Sequence, residues 1–69
     1  MPLTMSKPGT INLIKNISGK DDVKRFLASL GFVVGEGVTV IMENGGNVIV
    51  NVKDSRIAIS KSMANRIMV

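Results

Sequence analysis

The chain has 69 residues, a formal charge of +4, and neither cysteine nor histidine. Disulfides and thiolate or imidazole metal sites are therefore excluded, and a domain this small must rely on strand pairing and aliphatic packing. Hydrophobic residues make up 45% of the chain, yet only Phe26 and Phe32 are aromatic, so Val, Ile, Leu and Met must build the core, a composition that favours strands.

In chain order, Leu3 and Met5 alternate with polar neighbours, which predicts a short lead-in strand before the Pro8-Gly9 turn. Ile11 to Ile17 reads as the first firm strand, with Ile11 and Leu13 on one face and Ile14 on the other. Ile17 follows Ile14 by three, so the alternation slips. A bulge or bend near Lys15-Asn16 is needed to return Ile17 to the core.

Ser18-Gly19-Lys20 is a loop, and Asp21-Asp22 opens a helix over about residues 21–30. Either carboxylate can cap free backbone N–H groups, and both suit the positive end of the helix dipole. Val23, Phe26, Leu27 and Leu30 form one apolar stripe, so both phenylalanines are expected in the core; Lys24, Arg25 and Ser29 fall mainly on the other side. Gly31 suits the left-handed position after a helix, with Phe32 packed back onto Leu27.

Gly35-Glu36-Gly37 turns the chain into a strand over 38–43, and Asn44-Gly45-Gly46-Asn47 is a hairpin turn. A strand over 48–53 returns with Val48, Val50 and Val52 on one face. Lys53 to Arg56 makes the next turn, and Ile57-Ala58-Ile59 is a short strand. Ser60 caps a helical turn over 61–65, and Ile67-Met68-Val69 closes the chain as a last strand. The sum is a mainly β chain of five to six short strands with one inserted helix. It forms one domain over 1–69, best closed as a small barrel that leaves few sticky edges.

The residue chemistry is sparse. Ser60-Lys61-Ser62 is the only serine–lysine arrangement, and a helix cap beside a solvated lysine accounts for it better than a nucleophile and base. Asp21-Asp22 is the only carboxylate cluster, and its place at a helix start explains it without a metal. Met1, Met5, Met42, Met63 and Met68 are scattered and read as packing rather than soft-metal ligands. Gly31 to Gly37 follows a helix and feeds a strand, the reverse of a phosphate cradle. No enzyme activity and no cofactor are expected.

The nine cations run from Lys7 to Arg66, and only Lys24-Arg25 are adjacent. A solvated surface accounts for them; contact with an anionic partner is the alternative. Nucleic acid would find Lys24, Arg25, Lys53, Arg56, Lys61 and Arg66, but no tyrosine, tryptophan or histidine on which bases could stack. The uncharged run Phe26 to Gly35 is far shorter than the ~20 apolar residues of a spanning helix. The N-terminus lacks a basic segment followed by an apolar core, so a cytoplasmic chain is expected.

Lys7-Pro8-Gly9, Ile14, Ile17-Ser18-Gly19, Arg25-Phe26-Leu27, Leu30-Gly31-Phe32-Val33-Val34-Gly35 and Val38-Thr39-Val40 occur in the order seen in the ferrous-iron transport protein A (FeoA) family. Val48-Ile49-Val50, Ile57-Ala58-Ile59, Ala64 and Ile67-Met68-Val69 continue the series. The chain resembles that family over nearly its whole length, and Leu-Gly-Phe-x-x-Gly is the most specific piece. The resemblance implies an SH3-like barrel with an inserted helix. It also implies a role in iron homeostasis, as an accessory of the FeoB-type ferrous-iron transporter, a membrane protein with a cytosolic G-protein domain. Action is then by protein–protein contact, without catalytic residues. The resemblance associates the chain with transition-metal ion binding as well, although no residue is assigned as a ligand.

Lys24 and Arg25 on the helix, with Lys61 and Arg66 near the last strand, are the expected partner contacts. The alternative functions are a basic barrel that binds nucleic acid and a regulatory SH3-like module unrelated to transport. A free strand edge would also allow weak self-association into a homo-oligomer.

Overall fold

In the computed structural model, which describes residues 1–69, the strands are β1 (Ile11–Leu13), β2 (Asn16–Ile17), β3 (Gly37–Asn44), β4 (Asn47–Val52), β5 (Ser55–Ser60) and β6 (Ile67–Met68). Helix α1 spans Asp21–Ser29 and helix α2 spans Lys61–Ala64. β1, β3, β4 and β5 form an antiparallel sheet in that order, and β2 pairs antiparallel with β6.

β1 and β2 are two halves of one extended segment that stitches the two sheets together. The Ile14 amide donates to Glu36 O at 2.9 Å, on the β3 side, and the next amide, Lys15, donates to Met68 O at 2.8 Å, on the β6 side. The predicted bend thus falls where the segment changes partner. It leaves Ile14 and Ile17 buried while Ile11 and Leu13 face solvent.

The predicted lead-in strand is instead a 3-10 turn over Leu3–Met5, and only Pro2 bridges to Met68. Proline has no N–H to extend a ladder, and the Ser6 hydroxyl donates to Leu3 O at 2.8 Å, which closes the turn and drops Leu3 into the core. The termini are tied together: the Val69 amide donates to Met1 O at 2.8 Å, and the Met1 amine donates to Val69 O at 2.9 Å.

Helix α1 differs from expectation at its start. Lys20 is the capping residue and makes no side-chain cap, which places Asp21 and Asp22 inside the first turn. Asp22 Oδ1 accepts only from the adjacent Val23 amide, at 2.9 Å. Both carboxylates still meet the positive end of the dipole.

The helix end forms as predicted. The Phe32 amide donates to Leu27 O and the Gly31 amide to Ala28 O, both at 3.0 Å, the two bonds of a Schellman cap. Gly31 has φ +105°, which a side chain would strain, and Phe32 and Leu27 are both buried.

Phe26 is a second correction. It is 50% exposed, whereas Phe32 is 1% exposed. Successive helical residues are about 100° apart. With Leu27 pointing into the barrel and Val23 and Leu30 packed beside it, Phe26 is rotated onto a flank that faces water.

The β3–β4 turn uses Gly45 and Gly46 with φ of +56° and +87°, as a two-residue hairpin requires. The register shifts between Val40 and Met42, so Ile41 is an extra residue that bends β3. Val38 and Val40 lie inside, and beyond the bulge Met42 and Glu43 lie outside. β5 is longer than predicted because the β4–β5 loop shrinks to Lys53-Asp54, both at positive φ, and Ser55 and Arg56 join the ladder. Ser60 caps α2 as predicted, its Oγ accepting from the Met63 amide at 3.2 Å. The core joins Leu3, Ile14, Leu27, Phe32, Ile67 and the inward valines of β3 and β4, drawn from the whole length of the chain.

Candidate interaction surface

The four expected contact residues divide into two places. Lys24 and Arg25 lie exposed on α1, and the Arg25 Nε donates to Asp21 O at 3.4 Å. Arg66 precedes β6, and its chain runs beside the first turn of the same helix: a Cβ built on Gly19 would lie 3.6 Å from Val23 and 3.8 Å from Arg66 Cδ. Arg66 thus lies near the start of the helix that carries Lys24 and Arg25, where Asp21 and Asp22 also lie. Lys61 lies elsewhere, on α2 at the β3–β4 hairpin, where its amide donates to Gly46 O and its Nζ meets Glu43 Oε1 at 3.1 Å. Paired in this way, Lys61 offers less free charge to a partner than the other three.

The carboxylates do not converge. Glu36 faces Lys53 at 3.7 Å, Glu43 faces Lys61, Asp54 occupies a turn, and Asp21 and Asp22 lie in the helix start. No three of them form a group that could hold a metal ion, so the donor set does not fit a resident metal. No helix is long and apolar enough to cross a membrane.

Sequence reasoning missed a second surface feature. Ile11 and Leu13 are 72% and 63% exposed on β1, an edge strand of the four-stranded sheet. Beside them lies a shallow groove of about 320 Å³, floored by Ile11, Gly37, Thr39 and Asn51 and rimmed by the Glu36–Lys53 pair. Gly37 makes the groove, because a Cβ there would come within 3.3 Å of Ile11 Cγ2. The signal was present in the sequence: Ile14 and Ile17 are the pair that a bend can bury together, which turns Ile11 and Leu13 outward.

A small barrel of six short strands with one inserted helix defines a domain of the SH3-like class. The FeoA domain family matches residues 1–69, and the chain belongs to that family, which is non-enzymatic. A Methanocaldococcus jannaschii protein of the Fe(2+) transport protein A type is 35% identical over 68 residues, covering 99% of this chain and 83% of the relative. The crystal structure of an iron uptake regulatory protein, FeoA, superposes with a TM-score of 0.88 at 29% identity, covering 97% of this chain and 91% of that one. Stenotrophomonas maltophilia FeoA, a procaryotic SH3-domain protein solved with zinc, superposes with a TM-score of 0.84 at 28% identity over 99% and 87% of the two chains.

Proposed function

We propose that this chain is an accessory protein of ferrous-iron uptake that works by contact with the cytosolic part of a FeoB-type transporter. The observation that carries the reading is the family match along residues 1–69, to relatives named for Fe(2+) transport and iron uptake. The lack of any reactive constellation agrees with a contact role. In this reading the chain acts in the cytoplasm as one unit and is drawn to the inner face of the membrane by its partner. Lys24, Arg25 and Arg66 supply an electrostatic approach to an acidic surface, and Lys61 adds a contact only where the partner displaces Glu43.

The test is binding of the purified chain to the transporter's cytosolic domain, with each guanine nucleotide present in turn. Affinity in the micromolar range or weaker is expected for so small a module. Neutralising Lys24, Arg25 and Arg66 together with glutamine should slow association and remove most of its salt dependence. Absence of binding with both partners folded refutes the reading.

A further inference from the structure

We propose that β1 is a self-complementary edge through which two copies of this chain pair, antiparallel and about a two-fold axis at Asn12. The hydrogen-bonding directions establish the free edge. The Ile14 amide points to β3 and the Lys15 amide points to the opposite side, toward β6. Strand amides alternate in direction, so those of Ile11 and Leu13 point the same way as that of Lys15, away from β3. β6 pairs only with Asn16 and Ile17, and the strand partners of Ile11 and Leu13 lie solely in β3. The outward N–H and C=O groups of these two residues therefore form an open docking edge.

That edge matches itself. With Asn12 opposite Asn12 of the second copy, Ile11 lies opposite the other copy's Leu13 and forms a hydrogen-bonded pair with it. Symmetry repeats the pair, giving four intermolecular hydrogen bonds. Directly opposed residues share a face, so each exposed Ile11 covers an exposed Leu13. Lys15, the nearest cation in the segment, falls opposite Gly9 of the second copy, so no like charges are opposed along the pairing. The contact is small beside a standard interface, and each copy carries +4, so the pairing is weak, concentration-dependent and strengthened by salt.

The experiment uses the full chain with a uniform ¹⁵N label, over a roughly hundredfold concentration range, with sedimentation measured in parallel. Sedimentation should move toward the dimer as concentration and salt rise. Amide shifts should concentrate on residues 10–13, and hydrogen exchange should slow at Ile11 and Leu13. Leu13→Lys should weaken association about tenfold or more while leaving the circular dichroism unchanged, because the side chain is exposed. Ile11→Thr keeps strand propensity and should weaken association several-fold, which covers the case that Leu13→Lys fails to fold. A wild-type chain that stays monomeric throughout overturns the proposal, as does a dimer whose shifts map to α1 or to the Gly45-Gly46 hairpin.

Discussion

Two phenylalanines six residues apart make a direct test of the packing. Phe32 is 1% exposed and sits among Leu27 and the inward valines, so Phe32→Ala removes a fully enclosed ring and leaves a cavity, at a cost of about 3–5 kcal/mol. Phe26 is 50% exposed, so Phe26→Ala forfeits roughly half of the ~1.5–3 kcal/mol transfer value, and solvent fills the space. Alanine's better helix propensity returns about 0.5 kcal/mol, which leaves a net cost near 0.5 kcal/mol. A 69-residue chain holds roughly 3–10 kcal/mol of stability in all. Phe32→Ala therefore consumes all of that stability at the low end of the range and up to about half of it at the high end, and Phe32→Leu, at about 1–2 kcal/mol, keeps the site measurable in either case. The assay is urea unfolding followed by far-ultraviolet circular dichroism, since the chain has no tryptophan or tyrosine for fluorescence. With an m-value of about 1 kcal/mol/M, Phe26→Ala should shift the midpoint by only about 0.5 M. Alanine variants that agree within about 1 kcal/mol would refute the assignment of one ring to the core and the other to the surface.

Two further outcomes test the caps. Gly31→Ala should cost about 1–2 kcal/mol through backbone strain at φ +105°, because the added Cβ meets Lys53 Cδ at an ordinary 3.5 Å; a neutral result in the same urea assay would contradict a strained cap. Ser60→Ala should lower the thermal midpoint by about 4–8 °C, the loss of a cap worth about 1 kcal/mol in a chain this size, whereas Ser60→Asp, which keeps an acceptor for the Met63 amide, should hold most of it; an unchanged midpoint in Ser60→Ala would show that the Met63 bond contributes nothing.

Local chemistry made much of this protein readable in advance. The Gly31-Phe32 cap, the Gly45-Gly46 hairpin and the Ser60 cap each depend on residue types whose backbone preferences act over three to six positions, so they form as the sequence predicts. The alternating valines of β4 also declared their buried face without reference to any neighbour. The basic residues were legible as charges but not as a surface, because nothing in the spacing of Lys61 and Arg66 says that one pairs with Glu43 and the other lies beside Gly19, before the start of α1.

What the amino-acid order alone determined is therefore the set of elements and the aliphatic barrel they close, since burial of one face and the needs of each turn are local demands. Tertiary structure decided which side of an ambiguous residue meets water. Phe26 left the core because the angle at which α1 docks is set by Leu27. Ile11 and Leu13 became an open edge because β6 takes over as partner only after the bend at Lys15. The spacing of Ile14 and Ile17 turns the Ile11 and Leu13 side chains outward, but the docking angle of α1 and the open backbone edge of β1 depend on where distant segments come to rest, which no periodicity within one segment encodes.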